Sequence, residues 1–234
     1  MGSNPISTVK MYLLSIYLPF LSSCIAGFFG RHVGSSGAAF ITTTSLFISF
    51  LISIIIFYET ALIGCITYIK IGSWIYVGSL TINWGFIFDS LTAVLLLIVT
   101  FISFLVHIYS IEYMSHDPHL PRFMSYLSLF TFFMLILITA DNFVQMFIGW
   151  EGVGLCSYLL INFWFTRVQA NKAAIKAMLL NRVGDFSLLI GIMLIFYYFE
   201  SVEYHVVASL IPFLDKKLNY FNVNIISIIS IFFL

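Results

Sequence analysis

Asn142-Phe-Val-Gln-Met-Phe-Ile-Gly-Trp-Glu151-Gly-Val-Gly-Leu-Cys-Ser-Tyr-Leu-Leu-Ile161 carries a single charge, Glu151, and no other charged residue lies between Asp141 and Arg167. The stretch is apolar and long enough to cross a bilayer as a helix. At ~1.5 Å per residue the carboxyl group then lies ~13–15 Å from either end, about the middle of a ~30 Å hydrocarbon layer. A carboxylate at that depth is costly and normally marks a proton or ion path. Gly152 and Gly154 remove bulk beside it, so that a helix or water can approach closely, and a packing role alone accounts for them equally well.

The rest of the chain agrees with a lipid solvent. Of 234 residues, 61% are hydrophobic, 18% aromatic and 9% charged, with mean hydropathy +1.06. Such a composition offers water no ordinary charged surface. The net charge of zero leaves no basic surface, so nucleic acid is excluded as a partner and the bilayer takes its place. Cys24, Cys65 and Cys156 fit no paired or metal-ligand spacing and read as small apolar packing residues. The leading residues 1–10 are polar and read as an extension without a structural role, and the following segment is of spanning length without a small-residue cleavage site.

Runs of about twenty apolar residues place spans near 11–29, 38–58, 86–109, 122–140, 142–162 and 173–199, with 221–234 starting a seventh. The predicted fold is all-α, a polytopic transmembrane bundle over 11–234 that is incomplete at its C-terminal end. Between the second and third spans, Tyr68 to Trp84 alternates apolar and polar residues around a Gly-Ser, which suits a short β-hairpin on the membrane surface or an irregular loop anchored by aromatics. Asp89-Ser-Leu-Thr92 reads as a helix N-cap. Arg31, Arg122, Arg167 and Lys172 fall on one membrane side, and Lys10, Lys70, Lys216 and Lys217 on the other, so the basic residues tie until Lys176, in the first turn of span six, favours the Arg167 side.

Further polar groups fall inside the spans. Arg182 and Asp185, spaced i,i+3 on span six, share a helix face and can pair, either along a proton path or only as a lock between helices. Lys176 either snorkels to the interface or has its charge set by burial and neighbours. His107 in span three reads as a hydrogen-bonded interfacial histidine, with proton relay as the alternative. His116 and His119 have His-x-x-His spacing, but two prolines in a short loop and no third ligand argue against a metal. No Rossmann glycine pattern, P-loop, iron–sulfur cysteine set or flavin site is present, so no redox centre, nucleotide or metal is expected in this chain.

Several of these segments together resemble the antiporter-like membrane subunits of respiratory complex I. The motifs are Phe88-Asp-Ser-Leu-Thr92, Phe104-Leu-Val-His-Ile-Tyr-Ser-Ile-Glu-Tyr-Met114, Pro121-Arg-Phe-Met-Ser-Tyr126, Ala140-Asp-Asn142, Gly149 through Phe165 and Lys176-Ala-Met-Leu-Leu-Asn-Arg-Val-Gly-Asp185, in family order across most of 11–200. The resemblance implies a proton-translocating subunit of the NADH:ubiquinone reductase. In such a subunit Glu151 is the buried glutamate normally paired with a seventh-span lysine, Lys176, Arg182 and Asp185 lie near the polar path, and His107 matches the span-three histidine. It implies other membrane-arm subunits as partners, with NADH, FMN, iron–sulfur clusters and ubiquinone held elsewhere. The seventh-span lysine and the second half are absent here, so the chain is expected to be a truncation or one part of a split subunit completed by a second polypeptide. Abundant Phe and Ile suit a mitochondrial inner-membrane protein. Mrp-type sodium/proton antiporter subunits share the Glu151 motif, and a non-transporting scaffold is the third reading.

Overall fold

The computed structural model describes residues 5–78, 80–214, 219–220 and 223–233. Among the described residues, six helices are long and apolar enough to span a membrane: α1 (Pro5–Phe28), α2 (Gly30–Phe57), α3 (Ser90–Tyr113), α4 (Leu120–Thr139), α5 (Phe143–Ile161) and α6 (Val168–Phe199). The six expected spans are therefore present, but their limits shift for local reasons. Helix α1 already includes Pro5 to Lys10, a stretch expected to stand outside the bundle. Helix α2 begins near Gly30, is interrupted at Gly34 (φ 74°), and ends in a π-helical turn at Tyr58–Leu62. Span three starts at Ser90 rather than 86, because Phe86, Ile87 and Phe88 pair in a strand and Asp89 caps the helix. Asp89 accepts from the Thr92 backbone amide and the Thr92 hydroxyl accepts from the Asp89 amide, so the expected cap is a reciprocal box.

The segment between α2 and α3 is the hairpin, not the irregular loop: β1 (Thr67–Val77) pairs antiparallel with β2 (Leu80–Phe88). Its turn needs a positive φ, which Gly78 supplies at 59° without a Cβ penalty. Two register shifts, between Lys70 and Gly72 and between Ser73 and Ile75, bend β1. Beyond α6 a short helix, α7 (Tyr204–Leu214), was not expected. The pair β3 (Asn219–Tyr220) and β4 (Val223–Asn224) then leads to α8 (Ile225–Phe233), which occupies the described part of the expected seventh span. Lys216 and Lys217 of the charge count lie outside the described residues.

Helices α1, α2, α3 and α4 pack around one core, with Tyr12, Ile16, Ile56, Phe86, Phe88, Leu96 and Leu135 all essentially inaccessible. Several hydroxyls inside it are satisfied within their own helices: Thr42 bonds the Ala38 carbonyl and Thr100 that of Leu96, whereas the buried Ser49 hydroxyl has no partner among the described residues. Others tie helices together, Ser53 to Thr100 at 2.9 Å and Ser125 to the Ser23 carbonyl at 2.8 Å. Cys156 is buried and fits its expected packing role, whereas Cys65 is exposed after the π-helical turn and does not, because that turn ends α2 before the cysteine can enter the bundle.

The connections at 28–30, 113–120 and 161–168 share one face of the bundle, where the Trp164 indole donates to Asp117 at 3.0 Å. The hairpin, the α4–α5 break and α7 share the other, where Phe143 N–H donates to the Val202 carbonyl at 3.1 Å.

Candidate functional site

Asn142 starts α5 by accepting from the Gln145 amide at 2.8 Å, and this fixes which faces the helix turns to its neighbours. Against α4 the approach is too close for side chains: a Cβ on Gly149 would lie 2.7 Å from the Leu137 backbone, and one on Gly152 would strike the Phe133 ring. The two glycines singled out from the sequence thus separate. Gly152 belongs to the α4 contact, together with Gly149, while Gly154 faces α6 with only Asn181 Nδ2 within 4 Å, at 3.9 Å.

Glu151, near the middle of α5, forms an ion pair with Arg182 of α6. Arg182 also lies 3.8 Å from Asp185, so the i,i+3 pair expected from spacing exists, but as the looser of its two contacts. Asp185 is held from α5 as well, its Oδ1 accepting from the Trp150 indole N–H at 2.8 Å while Oδ2 faces Arg182. Trp150 was not singled out from the sequence, although its position beside Glu151 was the available signal. The four residues form a chain across α5 and α6 in which two acids share one permanently charged guanidinium. Beside it a cleft of about 220 Å³ opens between Leu155, Tyr158, Met178 and Asn181. With both acids ionised the group carries one uncompensated negative charge, which a proton or an incoming cation would neutralise.

The other two candidates stand apart. Because α6 begins at Val168, Lys176 is more than two turns inside the helix rather than in its first turn, and it is exposed beside Lys172, Ile175 and Leu179 on a different face from Arg182. His107 is wholly buried between α3 and α4, with Nδ1 2.8 Å from the Ser103 carbonyl and Nε2 3.0 Å from the Ser128 hydroxyl. It is hydrogen-bonded as expected, but in the interior of the bundle. His116 and His119 join no group of side chains placed to hold a metal ion among the described residues.

A second polar cluster, not foreseen, lies on the face of the hairpin. The Glu203 carboxylate accepts from Asn83 at 2.9 Å and pairs with Lys70 and His205, each at 3.3 Å. The Asn142 side chain bonds the Asn83 carbonyl, and Gln145 Oε1 accepts from the Gly85 amide. Asp141 is buried beside Gly85, where a Cβ would collide with its carboxyl group. Burial and the nearby Glu203 carboxylate push Asp141 above the usual carboxylate range, with Lys70 and His205 acting the other way. Burial would raise Glu203 too, but the Asn83 amide, Lys70 and His205 outweigh it and hold that group below its ordinary value. Tyr204, half-buried near Asp141, is raised by its loss of water and by the Asp141 charge.

Two family models match the chain. Residues 74–124 match the N-terminal region of NADH-ubiquinone oxidoreductase (complex I) chain 5, and residues 140–234 match the transmembrane region of NADH:quinone oxidoreductase and Mrp antiporter proteins. NADH-ubiquinone oxidoreductase chain 5 of Marchantia polymorpha is 59% identical over 211 residues, covering 90% of this chain and 32% of the relative. That of Triticum aestivum is 60% identical over 199 residues, 85% of this chain and 30% of the relative, and that of Dictyostelium discoideum 47% over 225 residues, 95% and 34%. The chain spans about a third of the length of these relatives. Among solved structures, the membrane-bound sulfane sulfur reductase, an archaeal respiratory membrane complex, aligns with TM-score 0.74 at 19% identity over 85% of this chain and 39% of that one. The Mrp complex of a Dietzia species aligns at 0.75 and 19% identity, over 94% of this chain and 22% of that one. At that identity the two structures speak for the fold, an antiporter-like helical membrane subunit. Over the residues it has, the chain belongs to the family of NADH-ubiquinone oxidoreductase chain 5.

Proposed function

We propose that this chain forms part of a proton-translocating membrane-arm subunit of respiratory NADH:ubiquinone oxidoreductase, multi-pass in the mitochondrial inner membrane, with Glu151 as its proton-holding group. The observation that carries this reading is the two-to-one ratio of acid to base at mid-helix, where Glu151 and Asp185 share Arg182 beside an open cleft. Approach of one more positive charge would draw both carboxyl groups toward ionisation, and its withdrawal would favour uptake of a proton. A lysine on a helix supplied by the remaining two thirds of the subunit fits that role. Lys176 and His107, set apart from the cluster, would serve as further stations along a path rather than as partners of Glu151. The redox steps, with NADH, FMN, iron–sulfur clusters and ubiquinone, belong to other subunits in this reading.

A second reading, as part of an Mrp-type sodium/proton antiporter subunit, is favoured by the shared transmembrane family model. The deciding experiment replaces Glu151 by Gln in the assembled membrane complex and follows proton uptake by sealed vesicles. Translocation through this subunit should slow by on the order of a hundredfold or more, the scale of a lost proton-transfer group, while assembly on a native gel persists. Unchanged translocation in an intact assembly would leave only a scaffold role. A sodium requirement would favour the antiporter.

A further inference from the structure

On the face opposite the hairpin, α1, the start of α2 and the start of α4 enclose a cleft of about 970 Å³, at the upper end of the ~300–1,000 Å³ typical of small-molecule sites. Its walls are amphipathic. Phe20, Cys24 and Leu129 line the part that runs toward the bundle interior, while Arg31 and Arg122 stand where the helices leave the apolar layer. Neither guanidinium has an ion-pair partner among the described residues. The other two arginines are engaged, Arg182 with Glu151 and Arg167 over the Trp164 ring at 5.4 Å.

Polar groups deeper in the cleft are already spent, because the Ser125 hydroxyl donates to the Ser23 carbonyl and the Ser23 hydroxyl to that of Phe20. Asp117, in the adjoining turn, is occupied by the Trp164 indole and the His119 amide, both at 3.0 Å. The backbone keeps the space open. Gly34 interrupts the first turns of α2 with a positive φ, and a Cβ on Gly30 would press on Pro121 at 3.0 Å.

Two unpaired guanidiniums at the mouth and an apolar floor below match an anion that carries hydrocarbon. A small soluble anion would use the arginines and leave Phe20 and Leu129 against water. We propose that this cleft binds an anionic glycerophospholipid, its phosphate held by Arg31 and Arg122 and an acyl chain lying along Phe20 and Leu129. The proposal rests on the membrane fold and not on the proton path. Guanidinium donors match phosphate oxygens bidentately, and basic pockets between membrane helices are suited to acidic headgroups.

The test uses the assembled complex in nanodiscs of phosphatidylcholine doped with phosphatidylglycerol that carries a photoactivatable acyl chain, with labelled peptides identified by mass spectrometry. Label should appear on residues 20–29 and 121–129, with a phosphatidylcholine probe of the same chain giving much less. Arg31→Gln and Arg122→Gln should each lower the phosphatidylglycerol label about fivefold, while label elsewhere on the complex is unchanged. Equal labelling by both probes, displacement by inorganic phosphate, or absence of label from these segments would overturn the proposal. If the variants do not assemble, the comparison of the two probes on the unaltered complex still decides it.

Discussion

Helices α2 and α4 bury 44% of their most apolar windows within the chain, whereas α5 and α6 bury 22% each. In the closed half, several hydroxyls fold back onto their own helices, as Thr42 and Thr100 do. In the open half, charged groups meet across a helix contact and border a cleft. The lesson is that polarity inside a membrane bundle is not itself a sign of transport. What marks the α5–α6 site is two acids on one base, meeting across a helix contact with space beside them.

The strongest way to break this contrast is at Arg182. Changing it to Gln leaves two carboxyl groups without their shared cation, and turnover of the path should fall by on the order of a hundredfold. Pumping at the unaltered rate would mean that Arg182 only locks two helices together. An intermediate effect is expected from glycines of one motif. Gly149→Ala forces a methyl group against the Leu137 backbone and should cost about 1–3 kcal/mol of stability. Gly154→Ala enters open space and should be neutral or gain up to ~1 kcal/mol from helix propensity. Thermal denaturation of the two variants in detergent would show the difference, and equal losses would contradict the division of α5 into a packed and an open face.

The smallest effect concerns the cluster on the hairpin face. Glu203 sits below its ordinary value of 4.5, so its contribution to holding α7 is present above that pH and is lost as pH falls through the lower folded-state value. Asp141, raised above 3.8, has the opposite sign: its contribution is full below that pH and is lost as pH rises through the folded-state value. Protection of the α7 amides, taken relative to their intrinsic exchange rate at each pH, should therefore fall on acidification below about pH 4.5 in the unaltered chain, and Glu203→Gln should flatten that response. An unchanged profile in the variant would remove Glu203 from the clamp.

Much of the site was legible before any fold was known. Glu151 stands out because nothing else in its span is charged, and Arg182 and Asp185 stand out by their spacing on one helix. Which acid Arg182 would hold most closely was not legible. That choice depends on how α5 and α6 approach one another, the same approach that brings the Trp150 indole to Asp185 across thirty-five positions of sequence. The Asp141 and Glu203 cluster escaped for a similar reason, since Lys70, Asn83, Asp141 and Glu203 become neighbours only when hairpin, helix break and α7 meet.

By itself the sequence determined the solvent, the number of spans, the cap at Asp89 and the lone acid of the fifth span, and it narrowed the segment before the third span to a hairpin or a loop. Each follows from composition or from interactions within a few residues, which are written in order along the chain. Tertiary structure alone decided which glycines touch α4, that Lys176 stands apart from Arg182, that His107 is sealed in the bundle, and that Arg31 and Arg122 come to share one cleft. Those outcomes depend on the rotation and approach of one helix against another, set by many side chains at once and by no single motif.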